Sequence, residues 1–355
     1  MNHAHASSIA PLVLDVSTAI DHVEWNAYVA NHNLGSFFHR AEWAAAVKNA
    51  YNYEPIYISA RRAGVLAGVL PLSDIRAPLL GHSLVSSAFT VGGGPLADDA
   101  GVLAELLERA SSLGKERNCK YIECRSDFDS EGWMEKSSTH ATFRAPLIKD
   151  ESQALTAIPR KRRAEVRKAL AYVDAGDLVV DQNDDRDLFY ALYAQSLRRL
   201  GTPIFSKRFL NAILNAFKQN TEISIARYRG EPVAALVSFY DRGTVLPYYV
   251  GATEAARKTR AFDFLYWSIM RRAVNLGCDN FDFGRSKIGS GAYEYKKLWG
   301  LDPQPVSYRI KLIGSETMPD INPTNPKFAV FTKLWPHLPL SVTNRLGPML
   351  APNFP

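Results

Sequence analysis

Two stretches of this chain repeat each other at a spacing that leaves few folds open. YISARRAGVLAGVLPLSD (57–74) and SIARYRGEPVAALVSFYD (224–241) each read as an apolar strand, a turn built on Arg and Gly, and a second apolar strand ending in Asp. Both predict β-hairpins. Further on, LLERASSLGKERNCKYIECRS (106–126) matches SIMRRAVNLGCDNFDFGRS (268–286): a helix closed by Leu-Gly leads into a strand that ends in Arg-Ser. The pairs Gly64 and Gly230, Gly114 and Gly277, and Ser126 and Ser286 lie roughly 160 to 166 residues apart, too long for a solenoid unit. The chain therefore reads as two copies of one domain.

Apolar stripes at Leu103, Leu106, Leu107, Ala110 and Leu113, and at Phe262, Leu265, Tyr266, Ile269, Ala273 and Leu276, predict the two helices. Gly114 and Gly277 are expected to close them in the left-handed conformation. Between the copies, ESQALTAIPRKRRAEVRKALAYVDAGD (151–177) turns strongly cationic, which places a boundary near residue 150. The expected organisation is a domain over 1–150, a second over 151–315, and a proline-rich tail over 316–355. The second copy reads as helices over 160–175, 185–200 and 206–219, a hairpin, a strand over 244–250, a helix over 260–276 and a strand over 279–284. Helices covering a mixed sheet make the class α/β.

With 355 residues and 46% hydrophobic side chains the chain can bury two cores. A net charge of +6 permits an anionic partner without requiring one. Cys119, Cys124 and Cys278 suit neither a disulfide framework nor a zinc site and read as reduced thiols of a cytoplasmic protein. No window reaches eighteen apolar residues, the start lacks the pattern of an export signal, and His3 and His5 belong to no metal-binding motif, so no metal is expected. The tail contains Phe331, Trp335, Leu338 and Leu346 near Lys333 and Arg345, a pattern that either docks on the body or touches a membrane surface.

The segment FDFGRSKIGSGAYEYKKLWG (281–300) packs four glycines, four cations and five aromatics into twenty residues. Its Gly284 ends a strand and turns Arg285 and Ser286 outward, and Gly289 and Gly291 let backbone approach a ligand. It is not a P-loop, because Ser290 stands where a Lys is needed. RKRRAEVRK (160–168) holds six cations and one acid; on a helix Arg160, Arg163 and Arg167 share a face while Val166, Ala169, Leu170 and Val173 form the buried one.

The repeat, the cationic PRKRRAEVRKAL and the DFG…YxxKKxWG pattern of the glycine-rich segment together resemble the FemA/FemB/FemX-like family, over residues 35–312. The resemblance looks closest to the FemAB-related branch associated with exosortase and PEP-CTERM export systems. It implies two tandem GNAT-like domains and acyl transfer to an amine: an amide formed on a peptidoglycan or exopolysaccharide precursor, with aminoacyl-tRNA or another activated acyl donor as substrate and no required cofactor. Envelope precursor or glycan, tRNA and a membrane surface are the partners implied; DNA is not. Two alternatives stand beside this reading: an acyl-CoA-dependent N-acyltransferase on an amino sugar, and a non-catalytic binding module of an export system.

Such a transfer needs a neutral amine, a polarised carbonyl and correct alignment rather than a catalytic triad. By the resemblance one lysine of the Tyr-x-Lys-Lys set, Lys296 in preference to Lys297, contacts substrate phosphate or the reacting ester, and Tyr248 stands with Tyr249 on the strand beside the reacting carbonyl. Asp263 is a candidate for orienting the amine, with Asp282 on the adjacent strand, and either carboxylate can equally serve a structural hydrogen bond. It places Arg163, Arg167, Arg199, Thr202, Arg260, Arg285, Ser286, Tyr293 and Lys297 along the substrate groove. Tyr248 and Tyr249 are expected on opposite faces of their strand, so at most one meets substrate. The loop where GNAT enzymes bind the CoA pyrophosphate reads EAARKTRAFDFLYW (254–267) and has no glycine, and Arg257, Lys258 and Arg260 either bind phosphate there or form a solvated turn. In the first copy the same place reads VGGGPLADDAG (91–101), where Pro95 and two aspartates oppose an anion.

Overall fold

The computed structural model describes residues 10–78, 81–136, 139–317 and 332–354. The chain divides into two compact units. The first takes the described residues up to Lys136 together with those from Ser307 to 317; the second takes 139 through Val306 together with 332–354.

In the first unit, β1 (Leu12–Ser17), helices α1 (His22–Asn31) and α2 (Ala41–Tyr51), β2 (Glu54–Arg62), β3 (Val65–Ala77), β4 (Gly81–Ser86), β5 (Leu96–Ala97), α3 (Ala100–Glu116), β6 (Tyr121–Cys124) and β7 (Met134–Lys136) follow in order. The sheet order is β1-β2-β3-β4-β6, then a strand from far down the chain (Tyr308–Leu312), then β7. Only β4 and β6 run parallel among these neighbours. Val102, Leu106, Leu107, Ala110 and Leu113 of α3 pack on Ile56, Leu70, Leu84 and Ile122 of the sheet.

The second unit begins with β8 (His140–Thr142) and β9 (Arg144–Pro146), helices α4 (Glu151–Ala157) and α5 (Arg160–Asp174), and β10 (Leu178–Gln182). Helices α6 (Arg186–Arg199) and α7 (Lys207–Ala216), strands β11 (Thr221–Tyr228), β12 (Glu231–Asp241) and β13 (Thr244–Ala252), and helices α8 (Glu254–Lys258) and α9 (Ala261–Asn275) come next. They are followed by β14 (Asn280–Asp282), β15 (Ser286–Lys287), α10 (Gly291–Lys297), β16 (Gln304–Pro305) and α11 (Leu340–Leu350). The main sheet is β10-β11-β12-β13-β14-β9, and β15, β8 and β16 form a small second sheet. Leu265, Tyr266, Ile269 and Ala273 of α9, with Val166 and Ala169 of α5, bury Leu236, Val245 and Phe281.

The repeat is real down to backbone detail. Both hairpins turn on two residues with positive φ, Ala63 and Gly64 in one, Arg229 and Gly230 in the other, the geometry that matches strand twist in a tight hairpin. Both carry a register shift just before the turn, at Ala60/Arg61 and at Ala226/Arg227. Two units of the α/β class, each a mixed sheet covered by helices, are thus present.

Several expectations change on contact with tertiary structure. The units divide at 136/137 and 306/307 rather than near 150 and 315, because β9 pairs with β14 while Tyr308–Leu312 pairs with β6 and β7. Gly114 lies inside α3, not at its end; a Cβ there would come within 2.9 Å of Ile122, so the glycine admits close helix–sheet packing, and Asn118 takes the left-handed conformation after the helix. Gly277 does follow α9 with φ 81°. Leu276 belongs to the cap of α9 and is 53% exposed, outside the core stripe. Of the tail groups expected to dock on the body or touch a membrane, Trp335 is docked, at 1% exposure, whereas Leu338 is half-buried and Leu346 exposed; Phe331, His3 and His5 lie outside the described residues. The three cysteines are buried and form no disulfide, and burial pushes the Cys119 thiol up to about 11.

No helix among the described residues is long and apolar enough to cross a membrane. Ile310 is fully buried in the strand that completes the first unit's sheet. Ile310→Ala should cost about 2–5 kcal/mol of stability, measured by urea unfolding, with the loss read in the first unit's tryptophans Trp25 and Trp43.

Candidate active site

Strand β13 carries the first element of the site. Opposite it on β12, Val237 faces Tyr249 and Ser238 faces Pro247, which leaves Tyr248 as the extra residue of a β-bulge. Pro247 has no N–H to give to the ladder, and a proline in a central strand is accommodated at such an irregularity. The bulge breaks the alternation of faces: the Tyr248 and Tyr249 rings lie 4.8 Å apart, edge to face, and both approach Phe239, at 5.7 and 6.4 Å. The expectation that they point apart therefore fails. Tyr249 is buried against Tyr193, and Tyr248 is half-buried.

On its other side β13 pairs with β14 only at Thr244–Asn280 and Val245–Phe281. Beyond that point the two parallel strands part, and among the described residues no strand pairs with this edge of β13 from Leu246 onward.

Helix α9 starts in the loop after β13, and its first turn presents Asp263, buried. The Asp263 carboxylate accepts hydrogen bonds from the guanidinium of Arg162 on α5 and from the Tyr295 hydroxyl on α10, the latter at 3.0 Å. The same guanidinium sits 4.5 Å over the Tyr295 ring and 5.8 Å over Trp299. Burial raises the Asp263 pKa, and the Arg162 charge and the Tyr295 hydroxyl oppose that shift. Arg162 was not among the expected site residues. Its signal was a cation four residues before Val166, on the apolar stripe of α5.

Next to this cluster stands Lys296, 7% exposed. Its Nζ donates to the carbonyls of Phe283, Gly284 and Arg285 at 2.5, 2.8 and 3.4 Å, so all three ammonium hydrogens have an acceptor. Burial pulls the ammonium down to about 8, with the Asp282 carboxylate acting the other way. Asp282 in turn accepts from Thr142 Oγ1 at 2.7 Å, Arg144 Nε at 2.6 Å and the Gly284 amide at 2.7 Å. Gly284, at φ 69°, lets the chain leave β14 in this turn. Ser290 caps α10 by accepting from the Tyr293 amide at 3.2 Å, which fixes Tyr295 and Lys296 on successive positions of one short helix.

The other expected residues occupy diverse places. Arg260 adopts φ 60° just before α9 and pairs with Glu165 at 2.5 Å, joining that helix start to α5. Arg163 donates to the Thr156 carbonyl at 3.0 Å, and Arg167 is exposed. Arg199 donates to the Ala252 carbonyl at 2.5 Å, at the far end of β13, and Thr202 is exposed in the loop that follows α6. Arg285 is exposed, while Ser286 is buried in β15, where it pairs with Ala141. Tyr293 packs on Phe143 at 5.3 Å, and Lys297 lies 5.6 Å over the Tyr293 ring. The structure thus joins Asp263 to the unexpected Arg162 and Tyr295, while Lys296, the next residue of α10, turns its ammonium to the 283–285 carbonyls.

The equivalent positions of the first unit are closed. Arg125, matching Arg285 in the repeat, is buried with its guanidinium on Glu123 at 3.3 Å and on the Thr90 carbonyl at 2.8 Å, and Lys136 reaches Glu123 at 2.8 Å. Asp99 caps α3 and pairs with Arg62, which puts a carboxylate where an anion would approach that helix. Among the described residues no group of acidic, His or Cys side chains could hold a metal ion.

Comparison with known proteins bears on the domain and the fold. Residues 160–297 match the family described as "Acetyltransferase (GNAT) domain", a span that holds β13, α9 and α10 with Arg162, Asp263, Tyr295 and Lys296. No curated protein sequence matches the chain. The fold is similar to the crystal structure of FemX (TM-score 0.67, 15% identity, 84% of this chain and 98% of that one). It is also similar to L-PGS from Bacillus licheniformis (0.56, 11%, 88% and 96%) and to a tandem GNAT protein from the clavulanic acid biosynthesis pathway (0.52, 10%, 86% and 100%). The protein is an acyltransferase built from two GNAT-like domains, with the acetyltransferase match lying in the second unit.

Replacing Arg162 by Leu would leave the Asp263 carboxylate buried without its cation and should cost about 3–5 kcal/mol at neutral pH. Because the folded-state pKa of Asp263 lies above its unfolded value, the folded protein binds that proton more readily, and the cost should shrink as pH falls toward 4. Urea unfolding of the variant at neutral and acidic pH checks both; a penalty that is constant with pH would detach Asp263 from it.

Proposed function

We propose that the second unit transfers an acyl group to an amine of a cell-envelope precursor, of peptidoglycan or of an exopolysaccharide. The observation that carries this reading is the parting of β13 and β14 beside a buried cation, Lys296, and a bulged tyrosine, Tyr248. The amine attacks the donor carbonyl, a C–N bond forms, the C–O bond of the donor ester breaks, and the proton leaves the amine for the departing oxygen. The Lys296 ammonium, held by three carbonyls, supplies fixed positive charge for the oxygen that becomes negative, and the Tyr248 hydroxyl is a donor at the same strand. Asp263, kept in place by Arg162 and Tyr295, orients the amine.

The donor proposed is an aminoacyl-tRNA or a comparable activated ester. The loop over 254–267 lacks glycine, and its cations Arg257, Lys258 and Arg260, with Arg163 and Arg167 on α5, suit a phosphate chain better than backbone amides alone do. Arg199, Thr202, Arg285, Ser286, Tyr293 and Lys297 would line the acceptor path. FemX and L-PGS share the fold, which supports an envelope acceptor, and the DFG…YxxKKxWG pattern extends the proposal to an exosortase-linked export system. The second reading is an acyl-CoA-dependent transfer to an amino sugar, favoured by the acetyltransferase domain itself, whose relatives use acyl-CoA.

Binding of the purified chain to acetyl-CoA and to charged tRNA at two salt concentrations separates the donors: salt-sensitive tRNA binding supports the first reading, and saturable CoA binding the second. With the donor that binds, Lys296→Met should lower kcat/KM by about 100-fold or more. Activity of the wild type should fall as pH rises through about 8, where Lys296 loses its charge, and that descending limb should be missing from the variant's profile. Wild-type turnover in Lys296→Met would remove the lysine from the mechanism.

A further inference from the structure

The corner of the second unit where the C-terminal segment packs carries exposed aliphatic side chains and cations. The chain from 332 onward is anchored there by Trp335, which is buried. It runs beside the loop after α6 at close range: a Cβ on Gly201 would lie 2.5 Å from the Thr332 carbonyl oxygen, and one on Gly347 would lie 2.9 Å from the Ile204 amide. Arg198 of α6 donates to the Leu338 carbonyl at 2.9 Å. Helix α11 buries Thr343 and Gly347 against the body. Its outer face carries Val342, Leu346 and Met349, spaced i, i+4, i+7 as one stripe.

With Leu200 and Leu334 of the same corner, these residues are each between 36% and 70% exposed. Five large aliphatic groups gathered in one corner are unusual on a free surface. The two chain segments that form the corner are cationic, with Asp187, just before the first of them, paired to Lys207 at 2.6 Å. From 188 to 221 the chain has five cations (Arg198, Arg199, Lys207, Arg208, Lys218) and no Asp or Glu, and from 332 to 354 it has Lys333 and Arg345 and again no Asp or Glu. Over the whole chain 36 acidic residues stand against 42 basic ones, so acid-free runs on both segments of one corner depart from the general balance.

We infer that this corner is a docking surface for an anionic lipid bilayer, with the α11 stripe, Leu334 and Leu200 entering the headgroup–acyl boundary and Lys333 and Arg345 meeting lipid phosphates. An amphipathic helix lying in the interface needs this combination, apolar surface flanked by cations. Nucleic acid would be met by cations with aromatic planes for stacking, and the exposed groups here are aliphatic. Trp335 contributes by holding the segment on the body. The inference stands apart from the identity of the donor and acceptor, since it concerns only where the protein sits.

The test is flotation of the full chain with vesicles of phosphatidylcholine alone and of phosphatidylcholine mixed with phosphatidylglycerol, at low and high salt. The wild type should float with the mixed vesicles, less so at high salt, and not with phosphatidylcholine alone. Leu346→Glu/Met349→Glu should reduce the bound fraction by about tenfold or more, and Arg345→Ala by about fivefold. Leu200→Glu, on a different element, should act in the same direction, which guards against a local defect in α11; circular dichroism checks that each variant is folded. A wild type that stays with the soluble fraction overturns the inference, as do folded variants that float like the wild type. Concentration-dependent self-association that the double variant abolishes would assign the face to a second copy of the chain instead, and tRNA binding lost in the same variant would assign it to RNA.

Discussion

The second unit depends on a charge that has been taken out of water. The Arg162 guanidinium is buried, and a lone ion there would carry a desolvation penalty of several kcal/mol. It is tolerated because the Asp263 carboxylate meets it directly, the Tyr295 hydroxyl satisfies that carboxylate further, and the faces of Tyr295 and Trp299 receive the cation. Each partner comes from a different element: α5, α9, and α10 with the residues just after it. A single electrostatic requirement therefore sets the positions of three helices. Helix α10, so placed, delivers Lys296 to the carbonyls of the 283–285 turn.

A second constraint comes from Pro247. A proline cannot donate to a central ladder, the bulge that accommodates it frees Tyr248 from the pleat, and two residues of parallel pairing are all that join β13 to β14. An opening in the middle of a sheet follows, at the end of the strands where helix α9 begins. The first unit shares the hairpin turn, the register shift and the parallel pair of strands, yet fills its corresponding positions with Arg125, Glu123 and Lys136 and an aspartate cap. Duplication supplied the same scaffold twice, and the distribution of buried charge makes only the second copy a candidate for chemistry.

Much of this architecture was legible from spacing. Positive-φ turns, apolar periodicity and offsets near 160 residues are local properties, and local properties survive into the fold: the hairpins, α5, α6, α7 and α9 all form close to where the pattern places them. Gly114 was misread because the same residue type serves two purposes, left-handed caps and close packing, and only the neighbouring Ile122 distinguishes them. Arg162 was hidden among five other cations of one run; a helical wheel puts it on the apolar stripe, but a composition-based view treats the run as a solvated face. The bulge had a readable sign in Pro247, overridden by the assumption that strand residues alternate.

The sequence by itself determined that the chain is a tandem repeat of an α/β domain, that the second copy is enriched in cations and glycine-linked aromatics, and where its hairpins and helices lie. These follow from period and turn chemistry, which act between residues a few positions apart. Tertiary structure alone decided that Tyr308–Leu312 completes the first unit's sheet, that Arg162 rather than Arg163 or Arg167 meets Asp263, and that Lys296 points inward to three carbonyls. The physical reason is that the strand partners and the Arg162–Asp263 pair join residues separated by a hundred positions or more, while the Lys296 contacts, only 11 to 13 positions apart, depend on the turn at Gly284 and on the packing of α10, and no short-range pattern records those choices.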